Sequence, residues 1–184
     1  MLPLLSVFAH FVCMNLDLPE PCPQLPDTVS LATFVEQRLH VTLNTFELPG
    51  AHLHGVTVVD SKCFDSDADA AFRLSFLAEH PDVYELLEAP SSALGRMFDA
   101  VAVVTTGWAA PLGENGEVEG APSQHAKRRR VRLTVVVSDQ GVASVVRFAD
   151  EPDEIITDAG SATGSLADAI TGYWAQGPAV IETR

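Results

Sequence analysis

This chain is poor in cysteine and lysine and carries no complete catalytic signature. Its 184 residues include three cysteines, Cys13, Cys22 and Cys63, an odd number without a C-x-x-C pair. That pattern argues against a disulfide framework and a structural zinc site, and fits thiols acting as small hydrophobes in a reducing, cytoplasmic compartment. Lysine occurs twice, as Lys62 and Lys127, beside nine arginines, a bias expected of a GC-rich bacterial type of genome. Basic residues of both kinds are outnumbered, 11 against 25 carboxylates, which leaves a net charge of −14. A field of that sign repels nucleic acid and anionic membranes over most of the surface. No apolar run reaches the roughly 20 residues that a membrane helix needs. The most apolar stretch, Met1 to Leu16, contains His10 and opens without Lys or Arg, so we expect a buried strand or helix there and not an export signal. A nucleophile elbow, an H-E-x-x-H pair, a P-loop, a calcium loop and internal repeats are all missing, so no common enzyme signature is complete.

What is present is a core. Hydrophobic residues make up 47 % and charged residues 20 % of the chain, enough apolar surface for a single domain spanning 1–184 to fold without staples. The pattern predicts an α+β fold: a mixed, mostly antiparallel sheet of five to six strands, built from two hairpins and a central strand, with three to four helices packed on it. Four prolines between Leu18 and Pro26 make an irregular connection. Asp27 or Ser30 can cap a helix to about His40. Val41 to Leu48 and His52 to Asp60 alternate around Pro49-Gly50 and read as the first hairpin. Ser66 to Leu77 reads as a helix stopped by Pro81, and Asp82 to Glu88 as a second helical piece. Ala100 to Thr106 is uniformly apolar, as a strand covered on both faces would be. A Gly- and Pro-rich loop from Ala109 to Lys127 follows, then strands Arg128 to Ser138 and Val142 to Phe148 around Asp139-Gln140-Gly141. An acidic connection leads from Ala149 to Gly164. Ser165 caps a last helix reaching about Trp174, and a short edge strand is expected over Ala179 to Ile181.

Three constellations could carry chemistry. His52 and His54 stand two apart on a predicted strand, hence on one face, with Ser61 and Asp65 following. Two imidazoles and an aspartate suit a divalent metal such as zinc, whose bound water would attack an amide or ester. These residues resemble the motif of the JAMM-type metalloproteases, His-x-His-Pro followed by Ser-x-x-Asp, with Gly55 in place of the proline and Asp65 four residues beyond Ser61 instead of three. The resemblance implies a metal-dependent hydrolase using His52, His54 and Asp65.

The second is His125-Ala-Lys-Arg-Arg-Arg-Val-Arg132. By alternation Arg128, Arg130 and Arg132 share one face, a ribbon suited to phosphate or carboxylate, unless Glu114, Glu117 and Glu119 of the preceding loop pair with it. The third is Gly107-Trp108 at the carboxyl end of the central strand, where a glycine lets a ligand approach and an indole offers a stacking face. Together they favour a non-enzymatic binding or regulatory domain that takes an anionic small molecule or acidic partner at Gly107, Trp108, Arg128, Arg130 and Arg132. We expect it to need no cofactor and to form a homo-oligomer or another protein complex.

Overall fold

Asp27 begins the first element through its carboxylate. It accepts the Ser30 backbone N–H at 3.0 Å and the Ser30 hydroxyl at 2.7 Å, which caps helix α1 (Thr28–Thr42) and holds the Asp27 carboxyl below its ordinary pKa. Leu31, Ala32, Val35, Glu36 and Leu39 of this helix recur at helical spacing and form its buried stripe. The computed structural model describes residues 26–43, 45–59, 71–88, 97–111, 120–158 and 162–176.

Six strands follow: β1 (Ala51–Val59), β2 (Ala71–His80), β3 (Ala100–Ala109), β4 (Arg129–Ser138), β5 (Gly141–Phe148) and β6 (Glu151–Thr157). They form one sheet in the order β2-β1-β3-β4-β5-β6. Every neighbouring pair is antiparallel, so the sheet is not mixed. Among the described residues three α-helices pack on it, α1, α2 (Val83–Glu88) and α3 (Ser165–Gln176), along with a 3-10 turn at Pro122–Gln124.

The sheet's two faces have separate apolar layers. α1 lies over β3, β4 and β5, burying Leu31, Val35 and Leu39 against Ala102, Val104, Val136 and Val145. On the other face Leu86 and Leu87 of α2 and Ile170 and Trp174 of α3 cover Leu53, Val101, Val103 and Val135. Strand β3, between β1 and β4, is buried from Ala100 to Val104, as its uniformly apolar sequence requires. Gly141, at φ 129°, sits in a backbone region that side chains disfavour and closes the turn between β4 and β5.

Several expectations need correction. Val41 and Thr42 belong to α1, residues 43 and 45–50 form no strand, and β1 pairs with β2 and β3, so the first predicted hairpin is absent. Residues 71–77 are strand and not helix: Phe72 and Leu74 alternate onto the α1 face, where Phe72 meets Phe34 at 4.7 Å. The expected acidic connection contains β6, an edge strand whose exposure hides any alternation. Met1 to Leu16, the Pro-rich 18–25, Ser66 and the strand proposed over Ala179 to Ile181 lie outside the described residues. Among those described, no helix is long and apolar enough to cross a membrane.

Candidate functional site

β1 pairs with β3 only from His52 opposite Val104 to Val56 opposite Ala100, whereas β4 accompanies β3 through to Ala109. Thr105 to Ala109 therefore have no β1 neighbour, and Trp108–Ala109 with Arg129–Arg130, which lie beyond the β4–β5 pairing that begins at Val131, form a short two-stranded arm at the end of the sheet. Trp108 and Arg130 are direct cross-strand partners there, which puts the exposed indole and the guanidinium on one face. Arg130 lies 5.2 Å from the Trp108 ring centroid and Arg128, just before the strand, lies 4.9 Å from it.

The two arginines differ in what else they hold. Arg130 makes a two-pronged ion pair with Glu47 and donates to the Gly107 carbonyl at 3.1 Å and the Thr106 hydroxyl at 3.2 Å. The pair lowers the Glu47 pKa and raises that of Arg130. Arg128 is exposed and has no carboxylate partner among the described residues. Glu114 and Glu117, and with them Glu119, lie outside those residues. Gly107 contributes its carbonyl; a side chain there would meet nothing within 4 Å. On the opposite face of the arm a hollow of about 200 Å³ lies between Ala109, Pro111, Lys127, Arg129 and Phe148, with Arg129 stacked on Phe148 and paired to Asp150 and Glu151.

Arg132 shares the face of Arg130 but not its surroundings. It is 1 % exposed and directly opposite Arg147, itself 3 % exposed, so two like charges face each other across β4 and β5. Glu36 of α1 descends between them. Its carboxylate accepts Arg132 Nε and Nη2 at 3.0 and 2.8 Å, Arg147 Nε at 2.7 Å and the Thr134 hydroxyl at 2.8 Å. His40, one turn on, lies 3.4 Å from Arg132 Nη2; its pKa is lowered by burial and by the two arginines. The three guanidinium groups are thus not one surface: Arg128 is exposed, Arg130 is tied to Glu47 and Arg132 is internal. Glu36 was not among the candidates, although a carboxylate inside an apolar helix stripe is a readable signal.

His52 and His54 do share a face, with ring centroids 5.9 Å apart, and both are buried. Phe76 of β2 presents its edge to each, at 5.5 and 5.6 Å. Glu79 Oε2 stands 3.5 Å from His52 Nε2 without forming a hydrogen bond, and neither ring nitrogen of His54 has a partner among the described residues. Burial lowers both pKa values, that of His54 to about 4, so both rings are neutral near pH 7. Asp65, the third proposed ligand, lies outside the described residues, as does Ser61, and among those described no three His, Cys, Asp or Glu side chains form a group that could hold a metal ion. Comparison with protein-family models, curated proteins and solved structures finds no match to this chain.

Proposed function

We propose that this chain is a non-enzymatic binding domain that recognises an anionic group at the outer arm of β3 and β4, around Trp108 and Arg128. The observation that carries this reading is Arg128: an exposed guanidinium held against an exposed indole, without a neutralising carboxylate among the described residues, in a molecule of net charge −14. Stacking fixes the guanidinium plane and leaves its N–H edges free to donate to a carboxylate or phosphate in a two-pronged manner. Lys127, exposed and next to Arg128 in the chain, adds a second cation.

Titration with citrate at low salt, followed by tryptophan fluorescence, tests the proposal, with an oligo-glutamate peptide as the acidic-partner probe. The expected result is a saturable change that weakens as salt is added and falls at least about tenfold in affinity on Arg128→Glu. Binding that is absent for both probes, or unaltered in Arg128→Glu and Trp108→Ala, rules the site out.

A further inference from the structure

The Glu36 cluster is unbalanced. Two guanidinium groups, Arg132 and Arg147, share one carboxylate in the interior, which leaves one positive charge without a buried counterpart among the described residues. Donors are left over as well. Arg132 uses Nε and Nη2 on Glu36 and His40, and Arg147 uses Nε on Glu36 and Nη1 on the Pro152 carbonyl, while Arg132 Nη1 and Arg147 Nη2 donate to no acceptor among the described residues. An isolated charge in a low-dielectric interior is costly, and an arriving anion would relieve it.

A hollow of about 320 Å³ adjoins this cluster, lined by His40, Leu43, Thr45, Phe46, Ala149 and Pro152. Three of those residues touch the arginines: His40 through its ring nitrogen, Phe46 with its ring 5.3 Å from Arg132, and Pro152 through its carbonyl. We infer that this hollow is a second anion site, separate from the Trp108 arm, for a small monocarboxylate with an apolar body. The carboxylate would face the arginine side, and Leu43, Phe46, Ala149 and Pro152 would enclose the body. The volume lies at the lower end of the range for small-molecule sites. Charge decides between a mono- and a dianion: a single unbalanced positive charge matches one negative charge, and Asp153, whose field reaches His40, opposes a second.

Benzoate is the probe, with benzamide as its neutral isostere and inorganic phosphate as the dianion. Binding is read by thermal unfolding and by titration calorimetry on the whole chain. Saturable benzoate binding in the millimolar range is expected, with little or no response to benzamide or phosphate, and an affinity lower by about tenfold in Phe46→Ala. Replacing Arg147 risks the fold, so Phe46→Ala and His40→Ala serve as the variants. The inference is overturned if benzoate does not bind, if benzamide binds as well, or if both variants leave the affinity unchanged. Loss of benzoate binding in Trp108→Ala but not in Phe46→Ala would place the anion on the arm, which refutes this inference while supporting the proposed function.

Discussion

Glu36 occupies a position that its helix otherwise reserves for apolar side chains, between Val35 and Leu39 and wholly buried. It separates two arginines that the strand register places opposite each other, and so each arginine is tolerable only because of it. Removing one member of a buried ionic group leaves the others uncompensated, at a cost of about 3–5 kcal/mol. We therefore expect Glu36→Gln to lose that much stability in urea unfolding, whereas Glu36→Leu combined with Arg132→Met and Arg147→Leu should recover most of it. His54 gives a second residue-scale prediction, with its sign fixed by burial. Its folded pKa of about 4 lies below the roughly 6.5 of an unfolded histidine, so the neutral ring favours the fold at neutral pH. As pH falls through 6.5 the unfolded state takes up a proton that the folded state refuses, and stability declines until about pH 4. The full effect is about 3 kcal/mol, and His54→Leu should flatten the stability-against-pH curve over that window by close to one proton.

At the scale of elements, β1 shows why some of the fold was readable and some was not. Its period of two placed His52 and His54 on one face correctly, because alternation depends only on local backbone geometry. The residue between that pair and Val56 is Gly55, and its meaning was invisible: Phe98, from just before β3, lies over it, and a Cβ there would come within 2.5 Å of the ring. Gly55→Ala should therefore cost about 1–3 kcal/mol, and a double-mutant cycle with Phe98→Leu should show the two changes coupled. Strand β2 was missed because Phe72 and Phe76 are also four apart, as on a helix, and because an extra residue opposite the Leu53–His54 step reverses the alternation after Phe76. Leu77 and Ala78 then both pack toward α2 and α3, a pattern with neither period. Of the candidate site, strand parity put Arg130 and Arg132 on one face, but the stacking on Trp108 depended on the β3–β4 register and the burial of Arg132 on Glu36, 96 residues away, a distance over which no local pattern reaches.

For the molecule as a whole, the net charge of −14 is carried unevenly. Edge strand β6 brings Glu151, Asp153 and Glu154 with Pro152 to one side of the sheet, a composition that resists pairing with a further strand. The arm of β3 and β4 gathers Lys127, Arg128, Arg129 and Arg130, of which Arg129 is paired with Asp150 and Glu151 and Arg130 with Glu47, so among the described residues Lys127 and Arg128 are the cations left to meet an approaching anion. The global repulsion works against the compact state, because an expanded chain spreads the same charge over a larger volume. Salt should relieve it. Raising ionic strength from about 0.01 to about 0.15 M shortens the screening length from about 30 to about 8 Å, less than the distance across a domain but longer than any ion pair. Exposed pairs such as Arg129 with Asp150 and Glu151 contribute little and so have little to lose, and the interior Glu36 group is shielded from the added ions. Urea unfolding at neutral pH should therefore show stability rising by on the order of 0.5–1 kcal/mol across that range. A decrease instead would mean that surface ion pairs, and not the summed negative charge, dominate the electrostatics of the fold.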